Sequence, residues 1–325
     1  MSARGIGRSY SICVRAHTDV WCVCTHTPRR GRRQIHGRDE ARMFAQAQKT
    51  VLITGASSGI GLATALAAAQ AGWLTVATMR DPGKADALRE AAAEAGVTDR
   101  IQVKRLDVTD PDSVAACLDE VIAEHGRLNA VVNNAGAGQV GTIEQSTVAD
   151  VRAAMEVNFF GVVEVTRAAL PHLRASHGRV LTVTSVGGVV GQPFNEAYCA
   201  AKFAVEGFME SLAPVAATVG VSVTVVEPGA VASEFVASQG LDIPALTEAA
   251  GPYGPALQAY IDRTMRSFGN AQTPAQAAAP IIEALTADRP AFRVQASDWA
   301  RDFAGTKLAD LDGSAVQSLT GTWVS

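Results

Sequence analysis

Tyr198 and Lys202 stand four residues apart in Tyr198-Cys199-Ala200-Ala201-Lys202, a spacing that stacks both side chains on one face of a helix. A phenol titrates at about 10, and a neighbouring ammonium favours its phenolate, so the pair is a candidate proton donor and acceptor. The same spacing also produces ordinary i,i+4 surface contacts. Proton chemistry requires that other elements bring a reacting group to this pair.

The segments before it supply a place for a cofactor. Residues 49–54 read as a β-branched strand ending in Gly55-Ala56-Ser57-Ser58-Gly59-Ile60-Gly61, and an alanine-rich helical pattern follows over 62–71. In a strand–turn–helix context such glycines permit a tight turn and let backbone approach a pyrophosphate at the helix N-terminus. The hydroxyls of Ser57 and Ser58 could add a phosphate contact. A second strand over 73–79 runs into Met79-Arg80-Asp81-Pro82. Where this fold type reads the adenosine ribose, an acid binds the 2′-hydroxyl and an arginine accommodates a 2′-phosphate. Arg80 therefore points to NADP(H) as the preferred cofactor, with NAD(H) as the alternative, while Asp81 reads as a turn residue.

Further strands are expected over 101–106, 128–132, 179–184 and 221–226, with a final edge strand over 290–294. Helical patterns occupy 85–95, 110–125, 148–174, a stretch from about residue 198, and 273–286. This alternation, without internal repeats, predicts a doubly wound α/β Rossmann fold. Its sheet is expected to be mostly parallel and seven-stranded, with helices on both faces. Ser185 then falls at the carboxyl end of the fifth strand, where open α/β sheets bind ligands. Residues 234–270 carry Phe235, Tyr253, Tyr260 and Phe268 among glycines and prolines, and are expected to form a substrate lid. The polar tail 298–325 shows no assignable pattern.

The glycine spacing Thr-Gly-x-x-x-Gly-x-Gly, the tetrapeptide Asn133-Asn134-Ala135-Gly136 and the order Asn158, Ser185, Tyr198, Lys202 resemble the short-chain dehydrogenase/reductase superfamily. The resemblance covers about residues 49–295. The wording of residues 198–212 and of Ala-Thr-Met-Arg-Asp is most similar to its 17β-hydroxysteroid and retinol dehydrogenase branch. The resemblance implies a catalytic tetrad of Asn158, Ser185, Tyr198 and Lys202. Asn158 would hold a water at a distorted point of its helix and link Lys202 to solvent. Cofactor contacts are implied for Gly55, Ser57, Ser58, Gly59, Ile60, Gly61, Arg80, Asp107, Val108, Asn134, Ala135 and Gly136, and for Tyr198 and Lys202 themselves. They are implied as well for Pro228, Gly229, Val231 and Ser233, where serine stands in for the family's threonine.

The implied reaction is hydride transfer between nicotinamide and a hydrophobic ketone, aldehyde or alcohol, with Tyr198 as general acid or base. Lowering a phenol from about 10 to about 7 takes roughly 4 kcal/mol, which Lys202 and the oxidised nicotinamide would supply together. Two other readings share the fold. An extended-family epimerase or dehydratase needs a different glycine motif and a larger sugar domain. A non-catalytic NADP-sensing regulator usually lacks the tyrosine or the lysine, and this chain has both.

The 325 residues are 48% hydrophobic and 18% charged, enough to bury a full core. Residues 1–42 hold nine arginines, no lysine and three acids, while the whole chain carries −4, so the rest is strongly acidic. That argues against nucleic acid as the main partner. The basic leader also holds Cys13, Cys22 and Cys24, whose spacing fits no usual zinc finger, and no metal site is expected. Residues 1–44 are read as a disordered extension or an overlong start, and 45–325 as a single Rossmann-fold oxidoreductase domain. No stretch is apolar enough for a membrane span. Few cysteines point to a cytoplasmic protein, and family likeness to a homodimer or homotetramer.

Overall fold

A computed structural model describes residues 48–232, 242–269 and 271–325, all within the compact unit Met43–Ser325. The expected extension over 1–44 lies outside the described residues, as do Ser233 and Phe235.

Seven strands form one sheet: β1 (Thr50–Ile53), β2 (Leu74–Met79), β3 (Ile101–Arg105), β4 (Ala130–Asn133), β5 (Arg179–Val183), β6 (Ser222–Glu227) and β7 (Arg293–Gln295). Their order is β3-β2-β1-β4-β5-β6-β7, and every pairing is parallel. The winding reverses between β1 and β4, where Val51 faces Ala130 in register. This switch point opens a crevice at the carboxyl edge, the place where doubly wound sheets bind ligands.

The helices follow from the apolar pattern and from identifiable caps. They are α1 (Gly59–Gln70), α2 (Asp86–Glu94), α3 (Pro111–His125), α4 (Val148–Met155), α5 (Gly161–Ser176), α6 (Glu196–Ala217), α7 (Ile243–Ala249), α8 (Gly254–Phe268), α9 (Pro274–Thr286), α10 (Asp298–Leu308) and α11 (Ser314–Gly321). Asp110 caps α3 by accepting from the amides of Asp112 and Ser113, and Gly126 in the left-handed region ends it. Thr273 and Gln276 form a capping box at α9.

Strands buried on both faces read as continuous apolar runs, as β1 does in Thr50-Val51-Leu52-Ile53. Their side chains alternate between two cores. Leu52, Val131 and Val180 join residues of α3, α5 and α6 on one face. Val51, Ile53, Val132 and Leu181 meet Ala65 and Ala68 of α1 and Ile281 and Leu285 of α9 on the other.

Two regions have no element expected from the sequence. The described part of 234–270 is helical, as α7 and α8. The tail, without assignable pattern in sequence, folds as α10 and α11. Both belong to a third core in which Leu257, Tyr260 and Ile261 of α8, Phe303 of α10, Val316 of α11 and Trp323 enclose Val186, Val189 and Val190, just after Ser185. The final strand is also shifted to Arg293–Gln295 from the expected 290–294.

Candidate active site

The glycine turn is held open by its own conformation and by the strand beside it. Gly55 has φ +68° and Gly59 φ +56°, left-handed values that favour glycine. A Cβ on Gly61 would run into the Gly55 carbonyl and the Asn134 amide, so the start of α1 lies close against both. Ser58 caps α1 by position, yet its side chain makes no cap hydrogen bond. The first amides of α1 therefore remain available to an anion, favoured by the positive end of the helix dipole. This glycine-lined cradle fits a dinucleotide pyrophosphate.

The Asn133-Asn134-Ala135-Gly136 segment is stitched to that turn. Thr54 Oγ1 accepts from the amides of Asn134 and Ala135, both at 3.0 Å. The Asn134 side chain donates to the carbonyls of Thr54 (2.9 Å) and Gly55 (3.1 Å). Gly136 lies where β4 meets the proton-handling residues: a Cβ there would stand 2.8 Å from Asn158 Oδ1 and 3.6 Å from Lys202 Nζ.

Arg80 is exposed at the end of β2, and its charge reaches Asp107 at the end of β3. Burial pushes Asp107 upward, but bonds from Thr109 and the charges of Arg80 and Arg105 outweigh it and hold the carboxyl below its usual range. Asp81 accepts from the Gly83 amide at 2.9 Å, a turn role. Val108 is buried against Gly161 at the start of α5, which leaves its backbone rather than its side chain for a ligand.

The four tetrad positions converge. Asn158 sits in a π-helical turn, Glu156–Phe160, inserted between α4 and α5. It is fully buried. Its Oδ1 accepts from the Ala137 amide (3.1 Å), and its Nδ2 donates to the carbonyls of Ala137 (2.9 Å) and Ala154 (3.0 Å). The extra residue of a π turn frees backbone groups, as such turns often do at functional sites. Ser185 accepts from the Gly187 amide at 3.0 Å and hydrogen-bonds with the Tyr198 hydroxyl. Lys202 Nζ donates to the Val183 carbonyl at 3.2 Å and lies 5.8 Å from the centroid of the Tyr198 ring.

Burial pushes the Tyr198 hydroxyl up to about 12, with the Ser185 bond pulling the other way. Burial also pulls the Lys202 ammonium down to about 8, against the opposing charge of Glu206. The expected lowering of the tyrosine belongs to Lys202 and the oxidised nicotinamide together; in the protein by itself burial outweighs the Ser185 bond. Pro228 accepts from the Val186 amide at 3.0 Å, and Gly229 packs under the Trp299 ring. Val231 bridges to Gln272. Among the described residues no group of three or more His, Cys, Asp or Glu is arranged to hold a metal.

A dinucleotide cradle at the switch point of a doubly wound sheet, with a buried lysine beside a tyrosine bonded to a serine, defines a nucleotide-binding oxidoreductase. The model of the short chain dehydrogenase family matches residues 49–243, and the chain belongs to that family of oxidoreductases acting on CH–OH groups. It is 37% identical to retinol dehydrogenase 8 of Bos taurus over 280 residues, 83% of this chain and 88% of the relative. It is 36% identical to estradiol 17-beta-dehydrogenase 1 of Rattus norvegicus over 271 residues, 82% and 78% respectively. A solved short-chain dehydrogenase from Streptomyces avermitilis superposes with TM-score 0.66 at 33% identity, covering 85% of this chain and 96% of the other.

Proposed function

We propose that this chain is an NADP(H)-dependent reductase of a bulky hydrophobic ketone or aldehyde, able to oxidise the corresponding alcohol in reverse. The observation that carries the reading is the convergence of the Ser185 and Tyr198 hydroxyls next to the buried Lys202 ammonium. Arg80 at the end of β2 supports NADP(H) over NAD(H), since a guanidinium suits a 2′-phosphate. The glycine cradle and the uncapped start of α1 would hold the pyrophosphate. The Pro228–Gly229 turn, with Val231 and Ser233, would face the nicotinamide end; Ser233 lies outside the described residues. When bound, the nicotinamide supplies the hydride.

The protein's part is proton delivery and orientation. Ser185 would donate to the carbonyl oxygen and fix it beside Tyr198. With its hydroxyl held near 12, Tyr198 keeps its proton until the oxygen becomes an alkoxide, and then acts as general acid. Lys202 would bind the nicotinamide ribose and stabilise the resulting phenolate by its charge. Asn158 would anchor the relay from Lys202 through the turn at Ala137. In reverse, Tyr198 must act as a base, which its high pKa in the protein alone disfavours.

The substrate class rests on likeness to relatives named for retinol and estradiol, together with the apolar third core behind Ser185. Exposed Phe160, Phe203 and Val215 leave apolar surface on the π turn and α6, supporting a homodimer or homotetramer. Cys117 and Cys199 are free and buried, in keeping with a reducing cytoplasm. The test is NADPH oxidation against a panel of steroid, retinoid and short aliphatic carbonyls. The bulky carbonyls are expected to be reduced, and activity confined to short aliphatic ones would overturn the substrate class.

A further inference from the structure

The stripe that begins at Tyr198 does not stop at Lys202. Glu206 follows four residues on, and Glu210 four further, so Tyr198, Lys202, Glu206 and Glu210 occupy one side of α6. Glu210 reaches solvent, but Glu206 is buried, at 5% exposure. A carboxylate is seldom buried without a partner, and Glu206 has one from the opposite end of the chain. Arg293 on β7 places Nη2 3.2 Å from Glu206 Oε2 and 3.3 Å from Glu210 Oε2. The same guanidinium places Nε 2.8 Å from Oε1 of Glu227, the fully buried last residue of β6. Glu227 is further held by Gln295, whose side chain donates to it at 3.0 Å.

Glu206 also touches the segment that carries Ser185. A Cβ on Gly188 would lie 3.1 Å from Glu206 Cγ and 3.1 Å from the Lys202 carbonyl. Glu206 therefore packs against the turn that follows Ser185 and lies one helical turn beyond Lys202.

We propose that Glu206 is a positioning residue for the Tyr198–Lys202 pair: clamped by Arg293 from the last strand, its carboxylate keeps the Lys202 ammonium charged and seats the turn bearing Ser185. The inference rests on the reductase reading for its catalytic meaning. The charge balance favours it. Burial pulls Lys202 down, and Glu206 is the charged group that opposes this. Burial in turn raises Glu206, while the paired Arg293 guanidinium offsets it. Around Lys202, α6 also contributes Tyr198, Cys199 and Glu210. Of the elements packed against α6, the π turn carries Asn158 and the exposed Glu156, α4 carries Asp150 and Arg152, and β6 carries Glu227, with Arg293 reaching Glu206 from β7. Burial pushes Glu227 up to about 7, so it competes for Arg293 as pH rises.

The test is Glu206→Gln, which keeps shape and removes charge. Lys202 reactivity would be followed by trace amine labelling and peptide mass spectrometry of the cofactor-free protein, from about pH 6 to about pH 10. The midpoint for Lys202 is expected to fall by about one pH unit, because losing a nearby anion favours the neutral amine. The alkaline limb of kcat/KM for carbonyl reduction should move down with it. Arg293→Gln removes a cation and leaves the Glu206 carboxylate, so it is expected not to lower the Lys202 midpoint, and Glu210→Gln is expected to leave both in place. A Glu206→Gln protein with an unmoved Lys202 midpoint overturns the proposal, as does failure of both the Glu206 and Arg293 variants to fold. If the wild type reduces no carbonyl at all, the reductase reading fails, while the labelling still decides the role of Glu206.

Discussion

At the scale of single residues, the proton chemistry turns on which influence dominates a buried group. The Tyr198 hydroxyl is raised to about 12 by burial in spite of its bond with Ser185, and that suits a group that must hold its proton until an alkoxide forms. Arg80 works differently. It is exposed, and its charge acts on Asp107 across the ends of β2 and β3. Arg80→Ala is expected to weaken NADPH binding roughly tenfold or more while leaving NADH nearly unchanged, as a lost charge-assisted phosphate contact would. Fluorescence titration with each cofactor checks this, and equal losses would mean that Arg80 does not read the 2′-phosphate. Asn158, Ser185, Tyr198 and Lys202 were picked out in sequence by their order, through family likeness. The partners of Glu206 were not: Arg293 lies 87 residues further along, and only the folded sheet brings them together.

At the scale of elements, the glycine turn and the π turn show how local backbone prepares the site. The strand–glycine–helix order was readable because left-handed φ at Gly55 and Gly59 demands that residue type. The distortion at Asn158 was implied only by family likeness, since a π turn leaves no periodic signal in an otherwise helical stretch. The tail escaped sequence reading for another reason. Phe303, Val316 and Trp323 are too sparse to show a period, yet each is buried in the third core. Phe303 stacks between Trp299 and Trp323, and Arg263 of α8 covers the outer face of Trp323 at 3.9 Å. Trp323→Ala is expected to destabilise the protein by about 3 kcal/mol or more, the cost of truncating a buried aromatic side chain. Chemical denaturation would measure it, and a loss below about 1 kcal/mol would show that the tail merely rests on the core.

At the scale of the whole molecule, the sheet order explains why residues so far apart in sequence meet. Strand ends at Ile53, Met79, Arg105, Asn133, Val183 and Glu227 all fall on the carboxyl edge, and the positions with chemical potential follow them within a few residues. The alternation of strand and helix made this topology legible. All of these contacts lie within residues 48–325, and the basic segment 1–42 lies outside the described residues. A protein lacking residues 1–42 is expected to keep its carbonyl-reductase activity within about twofold, as chain termini commonly tolerate change. A large loss in the same assay would give the segment a direct role.

The central claim is that Tyr198 delivers the proton, and Tyr198→Phe removes that hydroxyl while keeping the ring. With a carbonyl that the wild type reduces, turnover is expected to fall below about one hundredth, with NADPH affinity nearly intact. Retention of more than about a tenth of the rate would contradict the account.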